Sequence, residues 1–345
     1  MHTEWKSFLA ARGAAIADDR VLHFGDPAAE LAAAAEGDVL TDLSFLALVC
    51  ARGPDALSFL NAQLSNDLLR LDDTRHQLGA YCTAQGRMLA ILRLFRREGN
   101  YCFQLPGALR EAIVKRLRMY VLRAKVTLEP IDDLVRLGVA GPTSAERVAA
   151  AAGVVPEGDG AAATRANITV LRLAGPHPRF ELIAPGPEAR LLWVELSRDI
   201  RPVGAGIWDW LDIRAGIPTV LPQTSEAFVP QMANLDAIGG VSFDKGCYPG
   251  QEIVARMHYR GRAKQRMYRA HVDAAALPQP GDSIYAPNMR AQAAGTVVIA
   301  HAAPRGGFDL LAVMQITSVD AGELHLGSET GPKLEIKTLP YEVPG

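Results

Sequence analysis

The order of its elements constrains this chain more than any single motif. Residues 45–50 are apolar enough for a buried strand, and Gly53-Pro54-Asp55 ends it. Residues 56–64 then read as a helix, with Leu57, Leu60 and Leu64 on one face and Pro54 where a first helical turn tolerates it. Residues 78–83 and 88–95 flank Ala84-Gln85-Gly86-Arg87 as a hairpin, and residues 101–105 add a third strand. Leu109, Ile113, Leu117 and Val121 recur at the spacing of an amphipathic helix, with Arg110, Lys115, Arg116 and Arg118 on its solvated faces. A second stretch follows the same scheme: strand 134–140, helix to about 152, strands 167–173 and 179–183, helix 188–196. Two similar α+β layers are the expectation, although no residue-level repeat accompanies them. A further helix, 207–215, is stopped by Gly216, and Trp208 and Trp210 near its start suit an inter-domain core.

Beyond Gly261 the texture changes. Segments 265–272, 295–300, 310–316 and 334–337 are short and β-like, split by Pro278-Gln279-Pro280-Gly281, Pro304-Arg305-Gly306-Gly307 and Gly331-Pro332. Such spacing without helices predicts a small antiparallel barrel or sandwich. The boundaries expected are 1–133 for a first α/β domain partly interlaced with the next, 134–260 for a second, and 261–345 for the barrel. A chain of 345 residues with 49% apolar content can bury cores in each.

A net charge of −2 argues against a uniformly basic nucleic-acid binder, so direct nucleic-acid contact is not expected. Local excesses remain. Residues 87–125 carry ten basic and two acidic side chains, and 245–269 carry seven and one, which suits an anionic ligand or tail held in a cleft. Cys50, Cys82, Cys102 and Cys247 show no C-x-x-C pair, zinc-type spacing or disulfide framework, and the first three lie in strand-like runs that suit small buried hydrophobes. A reducing cytoplasm is the expected location. No window approaches an uncharged membrane span, so membrane partnership is disfavoured.

The densest chemistry lies in Asp244-Lys245-Gly246-Cys247-Tyr248-Pro249-Gly250-Gln251-Glu252. Two glycines and a proline force a tight turn, and 251–257 can form a helix with Ile253, Val254 and Met257 inward. Cys247 then sits just ahead of a helix N-terminus and two residues after Lys245, and both features favour a reactive thiolate.

This stretch, read from Asn234 through Lys245-Gly-Cys-Tyr-Pro-Gly-Gln-Glu252 to Arg256 and Gly261, closely resembles the K-G-C-Y-x-G-Q-E signature of the YgfZ family, folate-binding relatives of the glycine-cleavage T-protein. Phe228-Val229-Pro230-Gln231, Gly53-Pro54-Asp55, the run 59–67, Gly86-Arg87-Met88 and Leu94-Phe95 are similar as well. The resemblance implies an α+β, T-protein-like ring of three domains, two interlaced α/β domains and a C-terminal antiparallel β-barrel, with tetrahydrofolate in the central cavity. It implies an accessory role in assembling or repairing iron–sulfur enzymes, with folate, assembly factors and radical tRNA-modifying enzymes as partners. Cys247 becomes the functional thiol. Gln231, Asn234, Lys245, Tyr248, Gln251, Glu252, Arg214 and Asn66 become the folate contacts, although Gln231 and Asn234 suit tying down a loop equally well, and Asn66 a helix cap.

Three departures bear on mechanism. The T-protein's catalytic acid falls at Ala90 in Gly86-Arg87-Met88-Leu89-Ala90, so glycine-cleavage aminomethyl transfer is not expected. Gly246-Cys247-Tyr248-Pro249-Gly250 replaces G-D-F-I-G, exchanging a carboxylate for a thiol. Ile213-Arg214-Ala215-Gly216 carries Arg where a Glu is usual, which suits an anionic part of the ligand better than a pterin. A folate-dependent one-carbon transferase or demethylase using another acid is the alternative activity. Isolated cysteines do not supply the clustered thiolates of a permanent iron–sulfur centre, and none is expected, nor a metal site among the scattered histidines.

Overall fold

The computed structural model describes residues 1–261, 263–290 and 292–344. The first sheet is five-stranded and antiparallel, in the order His76–Cys82, Met88–Arg97, Asn100–Pro106, Leu46–Arg52, Thr127–Pro130. Helices Ala56–Gln63 and Arg110–Met119 pack on it through Phe59, Leu60, Ile113 and Leu117. The second sheet runs Ala162–Arg165, Ile168–Leu173, Arg179–Pro185, Leu134–Ala140, Val39–Asp42, Arg201–Val203, antiparallel except for its last pair. Val39–Asp42 precedes the first sheet in sequence yet belongs to the second, where it pairs antiparallel with Leu134–Ala140 and is buried at all four residues. This is the interlacing.

The first forty-odd residues therefore pack with the second layer. Helix Thr3–Ala10 sets Trp5 edge-on to Trp193 at 5.8 Å, and the Trp5 indole donates to Asp42 Oδ1 at 2.7 Å. Helix Pro27–Glu36, which the sequence reading passed over, starts on Asp26, whose carboxylate accepts from the amides of Ala28 and Ala29. Asp-Pro before an alanine run was the available signal.

The third sheet is the anticipated C-terminal one. It is antiparallel and curled into a half-barrel, ordered His325–Leu326, Ser283–Tyr285, Ala293–Ala302, Phe308–Gln315, Gln265–Val272, Leu334–Lys337. Its tail is not helix-free as expected: Ile316–Ala321 leaves the strand at Gln315 and forms a short helix. Each layer touches the other two. One apolar core joins Leu92 and Leu94 of the first sheet with Met267 and Val313 of the third. Arg97 of the first donates to Thr169 of the second, and Trp210 donates to Asp309 of the third at 2.9 Å. Trp208 and Trp210 thus lie in an inter-domain core, both buried.

The cysteines need a correction. Cys50 and Cys102 are disulfide-bonded, where sequence reasoning made them independent buried hydrophobes. They are 52 residues apart, and only the pairing of Leu46–Arg52 with Asn100–Pro106 sets them opposite one another. That register is not legible from spacing. Cys82 is free and buried.

His76 joins the first two layers. Its Nε2 donates to the Arg172 carbonyl at 2.8 Å, and Nδ1 accepts from Arg93 at 3.3 Å. Both ring nitrogens are used by the neutral imidazole, and burial, with the Arg93 charge, pushes its pKa down to about 3. The unfolded chain binds a proton near pH 6.5 that the folded one refuses, so this contribution is complete above that pH and is lost as pH falls toward 3. Between pH 7 and 5 the expected loss is about 2 kcal/mol. Urea unfolding of His76→Asn at both pH values should show the dependence flattened by that amount, and an unchanged dependence excludes this imidazole as its source.

Candidate functional site

The signature turn is held from below by the first sheet's hairpin. Gly250, the residue before helix Gln251–Arg260, has φ +84°, and a Cβ there would lie 2.5 Å from the Thr83 carbonyl oxygen and 2.6 Å from Gly86 Cα. A Cβ on Gly86, at φ +73°, would in turn lie 3.1 Å from Ile253 Cβ. Two glycines at positive φ thus let two backbones meet. The far side of the hairpin is tied to the loop before the signature, where Met88 N donates to the Phe228 carbonyl and Arg87 Nη1 donates to the Ala227 carbonyl at 2.6 Å.

Lys245 anchors the turn from a second direction. Its ammonium donates to the carbonyls of Asn61, Leu64 and Asn66 at 2.5, 2.7 and 2.8 Å, at and just past the C-terminal end of helix Ala56–Gln63. Those oxygens lack intrahelical partners and sit at the negative end of the helix dipole, so a cation there is well placed. Burial lowers its pKa to about 8, against the Asp67 carboxylate, and the group remains largely protonated at neutral pH. All three of its donors are used, so Lys245 acts as an internal cap and not as an open anion ligand.

Asn66 is equally committed. Its Nδ2 donates to the carbonyls of Leu78 and Gly239, and its Oδ1 accepts from Asp67 N. Ser65, not among the expected folate contacts, donates to the Gly240 carbonyl and accepts from Ala80 N. Together they clip the 239–242 approach to the turn onto the first sheet. Asn234, at φ +58°, spans Met267 through both its amide atoms and ties the loop to the third sheet.

What the turn displays is narrower than the sequence implied. Cys247 and Glu252 are exposed, and Gln251 donates weakly to the Lys245 carbonyl at 3.4 Å. Tyr248 is buried under the Lys245 ammonium, 5.3 Å from its ring centroid, with no partner for its hydroxyl among the described residues. Gln231 donates to the Val254 carbonyl at 2.6 Å, while its buried Oε1 also lacks a partner among the described residues. Helix Gln251–Arg260 buries Val254 as expected, but Ile253 is exposed. On its outer side His258 stacks on Phe243 at 3.7 Å. Arg214 is elsewhere: its guanidinium lies 5.0 Å over Trp210 and its carbonyl accepts from Arg269. Ala90 is fully buried in the first sheet.

A polar seam between the first two sheets was also passed over. Gln104 donates to Glu181, whose carboxyl burial pushes up, and the buried Arg179 pairs with Asp212 at 2.7 Å. Gln and Glu inside otherwise apolar strands were the signal.

Chemically, the site offers an exposed thiol on a braced turn, with a phenol hydroxyl and a carboxamide oxygen behind it that have hydrogen-bonding capacity to spare. These two atoms match a pterin's N–H groups in donor–acceptor type, and both are enclosed by protein.

No protein-family model matches the chain. Known relatives are similar over most of its length. The tRNA-modifying protein YgfZ of Pectobacterium carotovorum subsp. carotovorum (strain PC1) is 34% identical over 316 residues, 91% of this chain and 94% of that protein. The protein of the same name from Klebsiella pneumoniae (strain 342) is 32% identical over 307 residues, 88% and 93% of the two chains. Among solved structures, glycine cleavage system aminomethyltransferase T from Bartonella henselae superposes with a TM-score of 0.77 over 97% of this chain and 96% of its own, at 15% identity. That likeness is one of fold.

Proposed function

Since this chain belongs to the YgfZ family, we propose that it is a tetrahydrofolate-binding accessory protein of the cytoplasm that supports assembly or repair of iron–sulfur enzymes, tRNA-modifying ones among them. The observation that carries the reading is the signature turn itself: Cys247 is exposed while Lys245, Asn66 and Gly250 are spent on holding it in place. So much bracing of one thiol is expected where its position matters. Tyr248 and Gln231 would hold the folate through their spare hydroxyl and carbonyl oxygen, and bound folate would supply a one-carbon carrier. Lys245, Asn66 and Asn234 support the loop and do not contact the ligand. Ala90 provides no acid, which weighs against aminomethyl transfer by the T-protein route.

Calorimetric titration with tetrahydrofolate tests the cofactor. A single site is expected, weakened about fivefold in Tyr248→Phe, since one hydrogen bond is worth about 1 kcal/mol. Absence of binding to the wild type refutes the folate reading. Cys247→Ala should fold and bind folate normally, yet fail to restore an iron–sulfur tRNA-modifying enzyme in cells lacking the native protein. Full rescue removes the thiol from the function. Production of methylene-tetrahydrofolate from a methylamine donor by the purified protein would favour the transferase instead.

A further inference from the structure

The disulfide lies in a different part of the molecule from the signature turn, and its surroundings are not those of a plain core staple. Cys50 and Cys102 are buried, yet both line a cavity of about 270 Å³ at the junction of the first two sheets. Its wall carries charges of both signs, Arg52 and Arg97 with Glu98 and Asp133. Arg97 is fixed by Thr169 and the Asn167 carbonyl across the domain boundary, whereas Arg52 is partly exposed beside Glu129.

The cysteines face each other within a strand pair that extends on both sides, Val49 opposite Phe103 and Ala51 opposite Tyr101. The ladder holds both residues in place whether or not the sulfurs are joined. Opening the bond therefore needs no rearrangement of the sheet, and the two thiols stay positioned to re-form it. A disulfide with these properties, reached by a cavity, is suited to exchange.

We propose that Cys50 and Cys102 form a reversible dithiol–disulfide couple that exchanges with a small zwitterionic thiol admitted by this cavity, whose guanidinium and carboxylate groups complement the thiol's carboxylate and ammonium. The thiolate of the small molecule attacks one sulfur of the pair, breaking the S–S bond and forming a mixed disulfide, and the other cysteine leaves as a thiolate. A second small thiol then attacks the mixed disulfide, releasing the small molecule's disulfide and the second cysteine thiolate. Two electrons pass from two small thiols to the pair, whose sulfurs take up two protons.

The test uses the full-length protein carrying Cys247→Ser, which removes the exposed thiol as a competing nucleophile. Folded samples are equilibrated in glutathione buffers of varied reduced-to-oxidised ratio, acid-quenched, alkylated in denaturant and weighed. The pair should convert between oxidised and reduced forms as the ratio changes, in both directions. A bond that opens only in denaturant, or that fails to form from the dithiol, overturns the proposal. Rates with anionic glutathione and cationic cysteamine test the route: Arg52→Glu should shift their ratio at least about tenfold toward cysteamine, because reversing one wall charge disfavours the anion and favours the cation together. An unchanged ratio, or reduction by a protein dithiol too large for the cavity and by neither small thiol, also overturns it.

Discussion

Gly250→Ala should lower the unfolding free energy by about 2–4 kcal/mol, the largest loss expected from adding a single methyl group to the site. Two costs combine. Alanine at φ +84° occupies a backbone region that side chains disfavour, and its methyl carbon would stand 2.5 Å from the Thr83 carbonyl oxygen and 2.6 Å from Gly86 Cα. Neither neighbour is the flexible end of a side chain, so relief requires the turn to lift off the hairpin. Urea unfolding should show a lower midpoint at constant slope, and Cys247 should react faster with a thiol reagent in the folded state as the turn loosens. Wild-type stability and labelling would mean that the two backbones do not meet as described. Gly246, whose added Cβ would meet nothing within 4 Å among the described residues, is the control: alanine there should change stability by less than about 0.5 kcal/mol.

Lys245→Met should cost about 3 kcal/mol. The thioether keeps most of the stem's volume but leaves three carbonyl oxygens at a helix end without their donor, and hydrogen bonds to a charged group are the more expensive ones to lose. Lys245→Arg should restore only part of the loss, because a planar fork cannot point at three oxygens converging on one compact ammonium. Equal stability of Met and wild type would return Lys245 to the pool of ligand-binding candidates. Folate affinity, measured where the variant is still folded, then separates support from contact: support predicts unchanged affinity whenever the turn is intact.

Much of this architecture was legible in the chain. The longer strands of the first two layers were readable from apolar runs and glycine-rich breaks, and the half-barrel from short segments punctuated by proline and glycine, whereas the short strands Val39–Asp42, Thr127–Pro130, Ala162–Arg165 and Arg201–Val203 were missed. The signature was readable as chemistry because polar residues crowded a turn that glycines required. What could not be read was which polar group faces inward. Lys245, Asn66 and Asn234 looked like ligand contacts by residue type, but each is consumed by backbone carbonyls or amides that only the tertiary arrangement brings near. Asn66 meets Gly239 from 173 residues away, a pairing no local pattern encodes. The disulfide is the same kind of omission, since opposing register is a property of the folded sheet. Glu181 and Gln104 were visible as polar interruptions of apolar strands, a signal that was present and unused.

The cap supplied by Lys245 also sets an order of events during synthesis. Helix Ala56–Gln63 leaves the ribosome early, but its end waits for a residue 184 positions beyond Asn61, and Ser65 waits 175 positions for Gly240. At roughly 5–20 residues per second, the first layer spends on the order of ten seconds or more as an unfinished body with its helix end uncapped. Its final consolidation is therefore coupled to the arrival of the loop that carries Cys247. A nascent chain halted before residue 245 should remain protease-sensitive around 61–66, and one extended past the turn and clear of the exit tunnel should become resistant there.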